Sequence, residues 1–289
     1  MMSQPLLTQT NSMKNNKITF IGGGNMATSL ISGLIADDYE RNDITVSDPD
    51  PDKLSQLAAH YGVHTESDNN QAIQQAEIVV LAVKPQILES VARSLAGAMQ
   101  QTKPLVISIA AGITATALNE WLGGDLALVR SMPNTPAMIQ SGATGLYAGP
   151  GVTEHQRNQA ESILRAVGLT RWVTEEAQID AVTAVSGSGP AYFFLVMEAI
   201  EESAKAMGLD DETARLLTLQ TALGAARMAM ESSDSPAVLR QKVTSPGGTT
   251  ERALDILEQG GLRNLFENAL KGAQERSREL SELLEHNHG

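Results

Sequence analysis

The chain has 289 residues, a formal net charge of -13 and no cysteine, with a pI near 4.8. The acidic balance excludes a binder of phosphate backbones, which needs a basic patch, and the missing thiols exclude disulfides, thiolate metal sites and a cysteine nucleophile. No apolar run in the sequence reaches the roughly 18 residues of a membrane span, and residues 1–16 lack the apolar core of a signal peptide, so a cytoplasmic protein of one or two domains behind a mobile leader is expected.

The predicted elements begin at Lys17. Ile18-Thr19-Phe20-Ile21 is a β-type run that enters Gly22-Gly23-Gly24-Asn25-Met26-Ala27, after which Leu30, Ile31, Leu34 and Ile35 recur at helical spacing. Read as G-x-G-x-x-A between strand and helix, Gly22 permits the tight turn, Gly24 clears the way for a pyrophosphate, and Ala27 lets the helix lie close. The unpaired N–H groups of the helix start would face the phosphates. A dinucleotide site is expected, against the alternative of a glycine turn with no ligand. A second strand, 43–48, ends at Asp48 and is followed by a helix over 51–61. In that position Asp48 either accepts from the adenosine ribose hydroxyls, which favours NAD, or belongs to a solvated acidic loop with Asp50 and Asp52.

A third strand over 78–83 is continuously apolar, as a parallel strand buried on both faces should be, and stops at Lys84-Pro85. The fourth, 105–109, leads into Ala110-Ala111-Gly112, and the fifth, 126–130, into Ser131-Met132-Pro133-Asn134-Thr135-Pro136. Small or proline-fixed residues thus follow three strands in succession, where the ligand crevice of an open parallel sheet lies. Lys84 suits a phosphate contact or a plain surface position. Asn134 suits a hydrogen bond to nicotinamide, ribose or substrate, or an ordinary turn. A strand over 142–147, a helix over 153–167 and a closing strand over 169–173 complete an α/β domain of Rossmann type with a mostly parallel sheet, residues 17–175.

From residue 176 to 289 only helical periodicity continues, which predicts a second, all-helical domain. Its first long helix is expected to start at Ser186-Gly187-Ser188-Gly189-Pro190. The run Ala191-Tyr192-Phe193-Phe194-Leu195-Val196-Met197 that follows is apolar on every face, which predicts a dimer interface, with a monomeric buried core as the alternative. Helices over 211–229 and 237–243 lead to Val243-Thr244-Ser245-Pro246-Gly247-Gly248-Thr249-Thr250 and a further helix over 251–258. Glycines and hydroxyls before a helix start make a nest of donors for a small anion such as a carboxylate. The alternative is an ordinary helix capped by Thr249 or Thr250.

The segments Phe20 to Met26, Ala82-Val83-Lys84-Pro85-Gln86, Ser108-Ile109-Ala110-Ala111-Gly112, Met132-Pro133-Asn134-Thr135-Pro136-Ala137, Gly187-Ser188-Gly189-Pro190-Ala191-Tyr192 and Ser245-Pro246-Gly247-Gly248-Thr249-Thr250 together resemble pyrroline-5-carboxylate reductases, in order, over residues 17–283. The resemblance implies NAD(P)H-dependent reduction of 1-pyrroline-5-carboxylate to L-proline, the last step of proline biosynthesis. It implies a homodimer paired through the helical domain, and leaves a decamer of dimers open. Substrate contacts would fall to Ser245, Gly247, Gly248, Thr249 and Thr250, with Thr250 the catalytic partner of the ring nitrogen. Cofactor contacts would fall to Gly22, Gly24, Asn25, Met26, Ala82, Lys84, Pro85, Ala110 and Asn134, with Asn69 near the adenosine ribose. The family usually prefers NADPH whereas Asp48 looks suited to NADH, so the cofactor's phosphate state stays open. No metal, nucleic acid or membrane is expected to take part, and His60, His64, His155, His286 and His288 are read as surface residues. Two rival readings stand beside this one. A β-hydroxyacid dehydrogenase would need a catalytic lysine in the helical part, where Lys205, Lys242 and Lys271 all lie outside the motifs. A nucleotide-binding regulator without turnover would use the same fold for binding only.

Overall fold

The computed structural model describes residues 16–286, so the leader at 1–15 and His288 lie outside the described residues. The first compact unit runs up to Ser188 and resumes from Ala273 onward. Its strands are β1 Ile18–Ile21, β2 Ile44–Ser47, β3 His64–Glu66, β4 Ile78–Leu81, β5 Leu105–Ser108, β6 Leu128–Met132, β7 Gly142–Ala148 and β8 Gly168–Trp172. Among the described residues these form one sheet in the order β3-β2-β1-β4-β5-β6-β7-β8. All neighbours are parallel except β6 and β7. That pair is joined by a short link through a helical turn at Thr135–Ile139, where a parallel pairing would need a longer crossover.

Strand alternation divides the side chains between two cores. Ile18, Phe20, Val46, Ile78, Val80 and Ile107 pack against α1 (Asn25–Ala36), α2 (Pro51–Tyr61) and α6 (Glu154–Arg165). Ile21, Val79, Leu81 and Val106 pack against α4 (Pro85–Thr102) and α5 (Ala115–Trp121). Both faces being covered, the central strands carry apolar residues without interruption, which is why they are readable in the sequence. β3 is not: its three residues are polar and none is buried. It is held by pairing with β2, Thr45 opposite His64, and leads to the short helix α3, Asn69–Ala72.

The change to purely helical structure brings three departures from the expected pattern. The long apolar helix α8 (Gly189–Ala206) starts within the expected segment 186–190, but it is preceded by α7 (Gln178–Val182) and a π turn at Thr183–Gly187 that no periodicity announced, the Ser188 N–H reaching five residues back to the Thr183 carbonyl at 2.8 Å. The combined run Gln178–Ala206 is, by length and composition alone, apolar enough to cross a membrane, a longer apolar stretch than the sequence reading allows. The contact division falls at Ser188, later than residue 175, because Val182 packs against the β7 backbone: a Cβ at Gly145 would lie 2.6 Å from its Cγ1.

The second unit, Gly189–Gly272, contains α8, α9 (Asp211–Glu231), α10 (Pro236–Lys242), α11 (Thr249–Gln259) and the beginning of α12 (Leu262–His286). The end of α12 belongs to the first unit. There Leu280 and Leu284 lie beside Gly112, and the Ser277 hydroxyl donates to Asp180 at 2.7 Å.

The β7–β8 pair depends on a glycine. Gly168 has φ +145°, and an added Cβ would sit 2.1 Å from the Gly142 carbonyl oxygen, backbone that cannot move aside. Gly168→Ala is expected to cost about 3 kcal/mol or more and to lower the thermal midpoint by at least about 5 °C, read by calorimetry.

Candidate functional site

The sheet register sets one row of strand ends. Ser47, Ile21, Leu81 and Ser108 are directly in line, so Asp48, Gly22, Ala82 and Ile109 emerge at the same level. Gly22 has φ +101°, and a Cβ there would lie 2.7 Å from the Ala82 carbonyl oxygen. Its N–H donates to the Ser47 carbonyl at 2.7 Å while the Ala82 N–H donates to Ile21 at 2.8 Å. The turn is therefore wedged between β2 and β4, and only glycine fits.

Gly24 behaves differently. A Cβ there would meet nothing within 4 Å, and Gly24 itself begins α1 with no side-chain cap. Lys84, exposed, begins α4 in the same way, with Pro85 in the first turn. By contrast α2, α3, α5 and α6 are capped by Asp50, Asp68, Thr114 and Thr153. An open space beside uncapped helix N–H groups suits a pyrophosphate, so the residues present fit a dinucleotide. Asn25 is exposed at the mouth of the turn, while Met26 packs partly against the core. Ala110 is buried just past the end of β5.

Asp48 braces this turn. Its Oδ2 accepts from the Gly23 N–H at 2.8 Å and from Lys53 Nζ at 2.9 Å, and its Oδ1 accepts from the Asp50 N–H and Lys53 Nζ, each at 3.0 Å. Burial works to raise the carboxyl pKa, but the bonds from Gly23, Lys53 and Asp50 outweigh it and hold the group below the ordinary carboxylate value. Asn69 lies beside this end of the row, its Oδ1 accepting from the Ser47 hydroxyl at 2.7 Å. Asn134 is engaged on both sides of its amide, donating to the Ser186 carbonyl at 3.0 Å and accepting from the Ala143 N–H at 2.8 Å.

Sequence reasoning missed Lys53. With Gly23, Gly24, Thr28 and Gln56 it lines a groove of about 720 Å3 between α1 and α2. The one available signal was its place in the first helical turn after a strand-ending acid. His60, His64 and His155 are exposed, as expected.

In the second unit, α11 starts at Thr249 with Gly248 as its N-cap and no side-chain cap bond. Thr249 and Thr250 are thus the first two helical residues and cap nothing. Gly247 has φ +71°, its N–H donates to Glu251 Oε2 at 2.7 Å, and the Gly248 N–H donates to the Ser245 carbonyl at 3.0 Å. The loop is folded on itself, with the hydroxyls of Ser245, Thr249 and Thr250 gathered at a helix start.

A carboxyl whose folded pKa lies below its unfolded value stabilises the fold above that unfolded value, near 4, and this contribution is lost as pH falls through the folded value. Asp48→Asn is therefore expected to lower stability by about 2 kcal/mol at pH 7. The difference should shrink as pH falls from about 5 toward 2, as measured by urea unfolding across that range.

Two family profiles match the chain. The family described as pyrroline-5-carboxylate reductase dimerisation matches residues 176–280, and the one described as NADP oxidoreductase, coenzyme F420-dependent, matches residues 17–112. A pyrroline-5-carboxylate reductase of Pseudomonas aeruginosa is 49% identical over 272 residues, which is 94% of this chain and 99% of the relative. The solved structure of a pyrroline-5-carboxylate reductase from Coxiella burnetii is 53% identical, with a TM-score of 0.89 over 92% of this chain and 98% of that one. The Plasmodium falciparum pyrroline carboxylate reductase, solved with NADP bound, is 28% identical, with a TM-score of 0.82 over 93% of this chain and 99% of that one. The chain belongs to the pyrroline-5-carboxylate reductase family.

Proposed function

We propose a division of labour for the family's reaction, the NAD(P)H-dependent reduction of 1-pyrroline-5-carboxylate to L-proline that ends proline biosynthesis. Residues 17–175 hold the cofactor, and residues 176–289 hold the substrate and pair the subunits. The observation that carries the substrate assignment is the start of α11, where Gly248 makes no side-chain cap and Ser245, Thr249 and Thr250 bring three hydroxyls to the helix start, beside a Gly247 N–H that Glu251 holds in place. Such a nest holds a carboxylate without lysine or arginine.

A dihydronicotinamide held at these strand ends would supply hydride for the imine carbon, and the protein's part is positioning. Gly22, Gly24 and the start of α1 cradle the pyrophosphate, with Asn25 and Met26 beside it. Lys84 meets a phosphate, and Ala82, Pro85 and Ala110 keep the strand ends low enough for the cofactor to lie across them. Asn134 orients the nicotinamide end and Asn69 the adenosine end, with Asp48 behind it. Protonation of the imine nitrogen makes its carbon more electrophilic, and the Thr250 hydroxyl accepts from that N–H and orients the ring. Holding the two carbons in line is worth up to several kcal/mol of barrier.

NADPH is the cofactor proposed, and the site of action is the cytoplasm. The chain works as a homodimer: Phe193, Phe194 and Leu195 on α8 and Leu216 and Leu217 on α9 are each more than half exposed in the isolated chain, an apolar surface that a second copy would cover.

The test is a spectrophotometric assay of NADPH and NADH oxidation with 1-pyrroline-5-carboxylate. Absence of turnover with both would overturn the reductase reading in favour of a binding protein. Thr250→Ala is expected to lower kcat/KM about 10- to 100-fold, the worth of one hydrogen bond to a charged group, with an unchanged thermal midpoint. Wild-type efficiency in that variant would remove Thr250 from the mechanism.

A further inference from the structure

We propose that Lys53 is the residue that selects a phosphorylated adenosine ribose, reading the cofactor's 2′-phosphate with Asp48 as its counter-ion. The inference rests on the cofactor assignment above and deepens it. A strand-ending carboxylate ordinarily excludes a 2′-phosphate by accepting from the ribose hydroxyls. Asp48 is not available for that. A carboxylate offers about four lone-pair sites, and those of Asp48 take Gly23, Asp50 and Lys53 twice over. The side chain is 7% exposed, against 39% for Lys53. The acid is the inner member of the pair and the ammonium the outer one.

The remaining groups of the loop leave the task to Lys53. An ammonium has three donors; two go to the Asp48 oxygens, and the third remains on the exposed side of the pair. Lys53 lines the groove that opens from Gly23 and Gly24, and it is the only lysine or arginine among the residues lining it. The neighbouring helix start cannot hold the anion instead, because the Asp52 and Lys53 N–H groups are both taken by Asp50 Oδ1. Asp50 and Asp52, in the same turn, oppose a phosphate. Without Lys53 the ribose would meet three carboxylates and no cation, so the preference should pass to the unphosphorylated form.

The test is calorimetric titration of the full chain with adenosine 2′,5′-bisphosphate and with adenosine 5′-monophosphate, for the native protein, Lys53→Met and Lys53→Arg. The native protein should bind the bisphosphate about tenfold or more tighter than the monophosphate, the scale of one charge-assisted hydrogen bond. Lys53→Met should lose that margin while its affinity for the monophosphate stays within about twofold, and Lys53→Arg should keep it. An equal loss on both ligands would make Lys53 only a prop for Asp48, and no loss would make it a bystander; either overturns the proposal. Turnover of the native protein with 1-pyrroline-5-carboxylate is measured alongside. A bisphosphate margin without turnover overturns the reductase reading and keeps Lys53 in its role, whereas turnover without the margin overturns the role and keeps the reductase.

Discussion

The strand ends are organised by one close approach, that of residue 22 to the carbonyl of Ala82. With 2.7 Å between that oxygen and the place where a side chain would begin, the exit of β1 is pressed against the exit of β4 and cannot drift. Successive backbone donors are then assigned on the inner side, Gly22 to Ser47 and Gly23 to Asp48. Only from Gly24 onward does the chain turn outward with its donors unclaimed by side chains. Rigidity and availability are thus separated by a single residue, which is what a preorganised anion site requires.

The carboxylate of Asp48 belongs to the rigid side of that division. It fixes the turn from below, takes the first N–H of the following loop, and draws Lys53 over the groove. A buried charge of this kind is tolerable because it is matched and fully hydrogen-bonded. Its depressed pKa follows from the same bonds. One acid therefore links the shape of the glycine turn to the charge presented beside it.

The glycine turn and the apolar strands were legible because each depends on local residue type: φ +101° at Gly22 and burial on both faces of β1 and β4. What escaped depends on partners far along the chain. β3 is three polar residues that become a strand only by lying beside β2. The π turn sits where Gly187 meets Met132, whose Cε would be 2.6 Å from an added Cβ, a contact that no helical periodicity encodes. Asn134 stood out between its two prolines, yet its amide is bonded to Ser186 and Ala143, which residue type does not reveal. Lys53 looked like any lysine on a helix surface, because its distinction lies in the acid it covers.

The return of α12 has a consequence for how the molecule could be divided. The helix begins in the second unit and ends in the first, where Leu280 and Leu284 rest on the Gly112 loop beyond β5 and Ser277 is bonded to Asp180. The sheet-bearing unit is therefore discontinuous in sequence, closed by residues made after the helical insert is complete. During synthesis that unit receives this packing element only after residues 189–272 have been made, so the order of translation places the helical segment before the completed sheet domain.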